Sequence, residues 1–234
     1  MSWQYIPPGG YPEPQQFYRA NMTALSWWEI WRCSGNGCVF FGTLPIMAFL
    51  KLFGIRLRTG DRMPREVSFQ AVDAATMATC HEAVAPSLEQ FAGLGFEHFT
   101  TFNVPEMPHQ NTIFMLMNRT QDAYAGIYHL NTPVGVRTGI DVVSMFADDS
   151  GLTTTDIKDG VALEAPAHHH RQLVVGGTPE QLWKLHQARV AELTLETGGL
   201  FGRVSEEHFI ETWRRAIREQ ADFHAARGVY VPVD

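Results

Sequence analysis

Residues 112–130, TIFMLMNRTQDAYAGIYHL, decide the fold. Two runs rich in aromatic, β-branched and other apolar residues, 112–118 and 123–130, stand on either side of the polar segment NRTQD. Such runs are typical of β-strands, and a connection this short joins antiparallel neighbours. The stretch therefore predicts a β-hairpin within the main sheet of the protein.

Similar runs precede and follow this hairpin. Turn-like segments such as ADDSG separate several of them. Because short connections join successive strands, we expect one antiparallel meander. Its other strands are predicted at residues 67–72, 96–103, 139–146, 152–155 and 172–175.

One helix is predicted between the first two strands, and two more are predicted after the last strand. Asp73, Thr178 and Ser205 each stand where a helix N-cap is expected, ahead of apolar residues at three- and four-residue spacing. Glycines follow each of the three runs and mark its end. We expect an α+β domain over residues 65–234, with about three helices packed on one face of the meander.

The composition excludes several functional classes. Apolar residues make up 45% of the 234 and charged residues 18%, which is not the composition of a disordered chain. The formal net charge of −7 argues against a nucleic-acid partner, because such proteins present a basic surface to phosphates. A polytopic membrane protein is excluded because the chain has only one long uncharged stretch.

That stretch lies near the N-terminus, where residues 33–50 read CSGNGCVFFGTLPIMAFL. Lys51 follows, and the apolar run then continues to residue 55. A helix over 33–55 would be roughly 34 Å long at ~1.5 Å per residue, about the thickness of the hydrocarbon core of a bilayer. We expect one transmembrane helix within a membrane segment that covers residues 24–58.

Aromatic and basic residues flank this segment. Trp side chains favour the membrane–water interface, and a lysine near a helix end extends its ammonium group toward that interface. Basic residues accumulate on the cytoplasmic side of a membrane protein. Residues 51–65 carry a net charge of +4 and residues 66–234 carry −11. This predicts a single-pass inner-membrane protein with its N-terminus outside and its C-terminal domain in the cytoplasm. The residues predicted to contact the bilayer or a partner subunit are Trp27, Trp28, Trp31, Phe40, Phe41, Phe49, Lys51, Arg56 and Arg58.

Two alternatives remain open for residues 33–55. Ser34, Asn36, four glycines and Pro45 weaken a spanning helix, and the most apolar part, 38–50, also suits a re-entrant or interfacial helix. The second alternative is a hairpin buried in a soluble protein. Residues 1–23, rich in proline and aromatic residues, are predicted to form an extended arm without a core of its own.

The residues with catalytic or metal-binding chemistry form no recognisable motif. Three cysteines are too few for a disulfide framework or an iron–sulfur cluster. His168, His169 and His170 are the densest of the ten histidines, but adjacent residues of an extended chain point to opposite sides, so at most two can share an ion. We therefore expect no catalytic residue, no metal site and no cofactor.

Three stretches carry a resemblance: DVVSMFADDSGLTTTD (141–156), TPEQLWKLHQARV (178–190) and EQADFHAARGVYVPVD (219–234). They resemble a loose group of bacterial membrane-anchored proteins with a cytoplasmic α+β domain. The resemblance covers residues 95–234 approximately. It implies the layout of a membrane segment followed by a cytoplasmic domain, and its motifs are structural, so it implies no activity.

Three functions are compatible with these features. The first is a non-catalytic accessory subunit of an integral-membrane assembly, such as a photosynthetic reaction-centre or antenna complex or a respiratory electron-transfer complex, with other subunits and the lipid bilayer as partners. The second is a membrane-tethered small-molecule-binding or sensor domain. Its candidate lining residues are Phe96, Phe102, Phe114, Tyr124 and Tyr128. The third is an enzyme that uses His168, His170 or Glu164.

Overall fold

The computed structural model describes residues 4–5, 15–107, 109–158, 162–200 and 204–233. Within these ranges the chain forms five α-helices and eleven strands in two sheets, so the α+β class is confirmed. The helices are α1 (Trp27–Ser34), α2 (Gly37–Leu52), α3 (Ala74–Gly93), α4 (Pro179–Thr197) and α5 (Glu206–Ala226). The strands are β1 (Gln4–Tyr5), β2 (Phe17–Asn21), β3 (Arg58–Pro64), β4 (Phe69–Ala71), β5 (Glu97–Asn103), β6 (Gln110–Asn118), β7 (Ala123–Thr132), β8 (Gly135–Met145), β9 (Gly151–Thr155), β10 (His169–Leu173) and β11 (Tyr230–Val233).

The larger sheet has eight strands in the order β1-β4-β5-β6-β7-β8-β9-β10. From β4 to β9 each strand pairs antiparallel with the next, as the meander prediction requires. The last strand differs, because β10 pairs parallel with β9. The sheet is therefore mixed, because one of its strand pairs is parallel and the others are antiparallel.

The predicted hairpin is β6–β7, and its turn is held by one side chain. The Asn118 carboxamide oxygen accepts hydrogen bonds from the backbone N–H groups of Thr120 and Gln121, at 3.2 and 3.1 Å. Asp122 completes the turn with a positive φ of 48°. These bonds set the register in which Phe114 lies opposite Ile127.

Helices cover both faces of the larger sheet, so the prediction of helices on one face is wrong. Phe114 and Leu116 of β6 pack toward α3 and α4, where they join Phe91 and Leu182. Their neighbours Ile113, Met115 and Met117 lie in a second core with Phe209 and Ile210 of α5. A strand buried on both faces needs apolar side chains at successive positions, which explains the unbroken run IFMLM.

The smaller sheet places β2 between β11 and β3, antiparallel to both. Tyr18 of β2 stacks on Tyr230 of β11 with ring centroids 5.8 Å apart, and both are buried. Part of the predicted arm is thus the central strand of a sheet, and it shares the core that the arm was predicted to lack. The arm's residues 1–3 and 6–14 lie outside the described residues.

Two short helices stand where one transmembrane helix was predicted. Gly35 adopts a left-handed conformation (φ 74°) that ends α1, and the Asn36 side chain then accepts a hydrogen bond from Val39 N–H to cap α2. The sixteen residues of α2 make a helix roughly 24 Å long, shorter than a hydrocarbon core of ~30 Å. Among the described residues no helix has the length and apolar character to cross a membrane. The predicted continuous helix over 33–55 is therefore wrong.

The three helices predicted around the sheet are confirmed, with their caps. Asp73 accepts hydrogen bonds from the N–H groups at the start of α3, Thr178 forms a capping box at α4, and Ser205 caps α5. These signals are local in sequence, and each satisfies backbone donors that the first turn of a helix leaves unpaired.

Candidate ligand-binding cavity

A cavity of about 340 Å³ lies between the larger sheet and α5. Strands β6 to β10 form its floor, and α5 with the chain near Met107 forms its other walls. Cavities of roughly 300–1,000 Å³ are the size that small-molecule sites use. The cavity exists because α5 crosses the sheet near Phe209 and Trp213 and leaves space above β8 and β9.

One part of the cavity is apolar and aromatic. The Tyr124 ring lies 5.2 Å from the Phe209 ring, which lies 5.5 Å from the Trp213 ring, measured between centroids. The Tyr124 hydroxyl donates to the Ser205 carbonyl and accepts from the Ser205 N–H, both at 2.9 Å, which fixes the start of α5 against β7. Burial raises the pKa of Tyr124 to about 12. This wall is thus rigid and uncharged at neutral pH.

A carboxyl group stands on the cavity floor. The Tyr128 hydroxyl donates a 2.6 Å hydrogen bond to Asp141 Oδ2, and the Gly126 N–H donates to Asp141 Oδ1 at 3.1 Å. A Cβ atom at position 126 would lie 2.7 Å from Asp141 Oδ1, so the close approach of the carboxyl requires glycine there. Gly126 and Asp141 are direct cross-strand partners in the β7–β8 register.

The cavity shifts the ionisation of both groups. Burial raises the pKa of Asp141 to about 7, although the hydrogen bonds from Tyr128 and Gly126 favour the ionised form. Burial and the neighbouring carboxylate raise the pKa of Tyr128 well above 10. Near neutral pH Asp141 therefore exists in both protonation states, and it can accept a hydrogen bond from a ligand or donate one to it.

Charged side chains stand at the opposite end of the cavity. Arg171 on β10 donates to Gln220 Oε1 at 2.7 Å, and Arg215 on α5 pairs with Asp149 at 3.2 Å. His169 and Glu219 also line this end. The cavity thus combines an aromatic body with polar groups at two separate places, which suits a small amphipathic molecule.

The structure places some of the predicted lining residues on the cavity and others elsewhere. Tyr124 and Tyr128 line it. Phe96, Phe102 and Phe114 are buried in the two cores that flank the sheet. Sequence reasoning missed Asp141, although one signal was present: a lone acid within the apolar run GIDVV.

The residues considered for catalysis are dispersed. Glu164 lies in another part of the molecule, where its carboxylate pairs with Arg227 at 3.1 Å. His168 contacts Glu219 at the cavity's charged end, whereas His170 does not line the cavity.

Helices α1 and α2 present most of the residues predicted to contact a membrane. Eleven of the seventeen exposed large apolar side chains among the described residues lie between positions 27 and 57, and we call them the α1–α2 apolar surface. Phe41 is 66% exposed and Leu52 is 80% exposed. The full set is Trp27, Trp28, Trp31, Val39, Phe41, Ile46, Phe49, Leu52, Phe53, Ile55 and Leu57.

The remaining predicted contact residues are placed differently. Phe40 is half-buried and packs edge-on against Trp31, with centroids 5.0 Å apart. Lys51 was predicted to extend toward a membrane interface, but its ammonium donates a 2.5 Å hydrogen bond to the Leu25 carbonyl. Arg56 and Arg58 are exposed beside the α1–α2 apolar surface.

Comparisons of the chain with protein-family models, curated proteins and solved structures found no match. The resemblance of residues 95–234 to membrane-anchored bacterial proteins stays a prediction. Function is therefore argued from the geometry of the site.

Proposed function

We propose that this protein binds a small amphipathic molecule in its cavity while α1 and α2 hold it at a membrane surface. The observation that carries the proposal is the cavity itself, with an aromatic wall on one side and the Asp141 carboxyl on its floor. This is the second of the functions compatible with the sequence, a membrane-tethered binding or sensor domain.

The lining indicates the class of ligand. Tyr124, Phe209 and Trp213 provide surface for an aromatic or aliphatic body. Asp141 provides a partner for a hydroxyl or amine, because its ionised form accepts hydrogen bonds and its protonated form donates one. Arg171 and Arg215 provide positive charge for an acidic or carbonyl group at the other end. Phenols and aromatic carboxylates have these features.

Filling the cavity is expected to abolish binding. Ala216 lies on α5 and lines the cavity, so Ala216→Phe removes space without removing a polar group. With 2-naphthol or 2-naphthoate at about 100 times Kd, we expect the wild-type melting temperature to rise by roughly 5–10 °C. Ala216→Phe is expected to weaken binding at least tenfold in ligand-observed NMR titrations.

The matched control is Ala226→Phe, an alanine on the same helix that is exposed and does not line the cavity. It should bind both probes like the wild type. Equal binding by wild type and Ala216→Phe, or failure of every member of a phenol and aromatic-carboxylate panel to bind the wild type, would contradict the proposed site.

Membrane attachment is supported by the number of exposed apolar side chains between positions 27 and 57 and by the basic residues that follow them. Exposed apolar patches beyond a few hundred Å² are rare on soluble monomers and mark contact with a partner or a membrane. Arg56 lies between α2 and β3, and Arg58 and Arg62 lie on β3, and all three are exposed. An apolar helix face beside basic residues is the pattern of a helix that lies in the interface of an anionic bilayer. We propose that this surface contacts the cytoplasmic face of the inner membrane.

Polar substitutions on α2 are expected to release the protein from vesicles. Phe41→Ser/Phe49→Ser removes two exposed aromatic side chains, each worth about 1.5–3 kcal/mol when fully buried. We expect at least a tenfold loss of affinity for vesicles of phosphatidylcholine and phosphatidylglycerol, measured by co-sedimentation. Val134→Ser/Leu195→Ser, at exposed apolar positions elsewhere, should bind like the wild type.

The same surface supports the accessory-subunit function as a second candidate. Aromatic side chains in this number also suit contact with the subunits of an integral-membrane assembly, including a photosynthetic or electron-transfer complex. Vesicle binding distinguishes the two candidates. The accessory-subunit function is supported if the wild-type protein does not bind vesicles but co-purifies at fixed stoichiometry with membrane subunits in mild detergent.

A further inference from the structure

Two adjacent histidines converge on one carboxylate at the charged end of the cavity. His168 Nε2 lies 3.0 Å and His169 Nε2 lies 3.1 Å from the same oxygen, Glu219 Oε2. Each residue offers one ligand atom, and the three atoms lie within 4.8 Å of one another. This is the arrangement of a two-histidine, one-carboxylate metal site.

The backbone explains why neighbouring imidazoles point the same way. His168 lies in the turn before β10, and His169 is the first residue of that strand. The Gly151 N–H donates to the His168 carbonyl at 2.9 Å, and the His169 N–H donates to the Pro166 carbonyl at 2.9 Å. Along a strand, neighbouring side chains point to opposite faces of the sheet, but this rule does not apply across the turn. The imidazole rings of His168 and His169 therefore lie side by side, with centroids 4.4 Å apart.

The distances suit a divalent ion with little movement. Nitrogen and oxygen ligands lie about 2.0–2.2 Å from Zn²⁺, which puts neighbouring ligand atoms about 3.0–3.5 Å apart in tetrahedral or octahedral geometry. The two histidine–carboxylate distances fall in this range. The two imidazole nitrogens lie within 4.8 Å of each other, and binding of the ion requires them to be about 3.0–3.5 Å apart as well.

The site is accessible to solvent, and two basic residues, Arg171 and Arg215, lie near its ligands. The side chain of His169 is 16% exposed, that of Glu219 is 37% exposed and that of His168 is 48% exposed, so an ion can enter from solvent. Arg215 is the nearby basic residue that interacts with Glu219, and it forms an ion pair with Asp149 at 3.2 Å. Arg171, two residues along β10, adds positive charge near His169, and its guanidinium donates to Gln220 Oε1 at 2.7 Å.

We propose that His168, His169 and Glu219 bind a divalent transition-metal ion, with Zn²⁺ the best match to the donor set. Three protein ligands leave at least one coordination position for water or a ligand. His169 and Glu219 line the cavity, so that position lies at the cavity's charged end. A phenolate or carboxylate in the cavity then coordinates the metal. This last step rests on the proposed ligand-binding function, whereas binding of the metal does not.

The test uses the full-length protein, Zn²⁺ alone and no organic ligand. Isothermal titration after chelator treatment is expected to show one Zn²⁺ per chain, and Co²⁺ is expected to give the d–d absorption of a nitrogen–oxygen site. His169→Gln and Glu219→Gln should each weaken Zn²⁺ binding at least tenfold. His170→Gln changes the next imidazole in the same sequence and should bind like the wild type.

Circular dichroism of the three variants separates loss of the site from loss of the fold. Absence of Zn²⁺ and Co²⁺ binding in the wild type overturns the metal site. Equal weakening in His169→Gln and His170→Gln overturns it as well, since it would indicate unspecific histidine binding. A third outcome is that the wild type binds Zn²⁺ but a chelator leaves its affinity for 2-naphthoate unchanged. That outcome supports the metal site and contradicts only the coordination of the ligand by the metal.

Discussion

Replacing Glu29 with Gln is expected to lower the free energy of unfolding by about 3 kcal/mol at pH 7. Burial raises the pKa of Glu29, but the Arg227 guanidinium and the backbone N–H groups of Glu164 and Ser26 lower it by more, to about 2 from an ordinary 4.5. At 1.36 kcal/mol per pH unit, this gap corresponds to about 3 kcal/mol of stability. Since the pKa is depressed in the folded state, this contribution is present above pH 4.5 and is lost as the pH falls through 2.

The contacts explain why a neutral side chain cannot replace the carboxylate. Both oxygens of the fully buried Glu29 accept from Arg227, at 3.0 and 2.7 Å. One also accepts from the Glu164 N–H at 2.9 Å, and the other from the Ser26 N–H at 2.8 Å. Glutamine would offer an NH₂ donor where a donor is already present, and it would leave Arg227 with the more exposed Glu164 carboxylate in place of the buried Glu29.

Urea unfolding at pH 7, 5 and 3 measures this effect. The difference in free energy of unfolding between wild type and Glu29→Gln should be nearly complete at pH 5 and fall to less than half of its full value at pH 3. Glu89→Gln is the control, because Glu89 is exposed on α3 and should change stability by less than about 0.5 kcal/mol. A difference that stays constant across this pH range would show that the carboxylate's charge is not responsible.

Glu29 also connects the α1–α2 apolar surface to the rest of the fold. It forms the capping box of α1 with Ser26 and pairs with Arg227 at the end of α5. Met47 of α2 and Ile30 of α1 are buried in the same small core as Tyr18 and Tyr230. The two helices are thus fixed on their inner side while their outer side remains available to a membrane or a partner.

Local features of the fold could be predicted from the sequence, because their causes are local. The N-caps Asp73, Thr178 and Ser205 act on N–H groups two or three residues away. The β6–β7 hairpin depends on a turn held by Asn118. Its predicted strands at 112–118 and 123–130 agree closely with the strands observed at Gln110–Asn118 and Ala123–Thr132.

Features that depend on distant residues could not be predicted in this way. Strands β2 and β11 pair Phe17 with Val233, across nearly the whole chain, and no local pattern indicates that contact. Glu219 reaches His168 and His169 only because α5 crosses the sheet above β10. The run IFMLM in β6 did contain evidence of helices on both faces, since a half-exposed strand would alternate with polar residues.

The apolar segment 33–55 is a third case. Its composition indicated exposed aromatic side chains, but the length of its uncharged run wrongly indicated one continuous helix. Counting uncharged residues from Cys33 to Leu50 ignores Gly35 and Asn36, which end one helix and cap the next. The aromatic residues Trp28, Phe41 and Phe49 are exposed in the folded chain, and their contact with a membrane or a partner stays a prediction.

Replacing Asp141 with Asn is expected to raise the free energy of unfolding at pH 8, by up to about 4 kcal/mol. Burial raises the pKa of Asp141 from an ordinary 3.8 to about 7. Between pH 3.8 and about pH 7, Asp141 releases its proton in the unfolded chain but retains it in the folded chain. The wild type therefore loses stability as the pH rises through this range. The loss is complete above pH 7, and at 1.36 kcal/mol per unit its upper limit is about 4 kcal/mol.

Asparagine can satisfy the same partners without a charge. Its carbonyl oxygen can accept from the Gly126 N–H and its NH₂ can donate to the Tyr128 hydroxyl, which then accepts and turns its own hydrogen toward the cavity that it lines. Urea unfolding should show no advantage of Asp141→Asn at pH 3, a smaller one at pH 5 and the full one at pH 8. Asp148→Asn should show the opposite sign, because hydrogen bonds from Ser150 lower the pKa of that exposed carboxyl.

A carboxyl group that costs stability at neutral pH needs another reason to be present. Asp141 lines the cavity, and its raised pKa has the physical cause expected at functional sites, burial beside a second titratable group. Asp141→Asn is therefore expected to be more stable than the wild type at pH 8 and to bind 2-naphthol at least tenfold more weakly there, because the charged acceptor is lost. An asparagine variant that is less stable at pH 8, or a carboxyl resonance of Asp141 that titrates near 4 in NMR, would contradict this account. If stability rises while 2-naphthol binding is unchanged, Asp141 is a buried acid without a role in recognising that ligand.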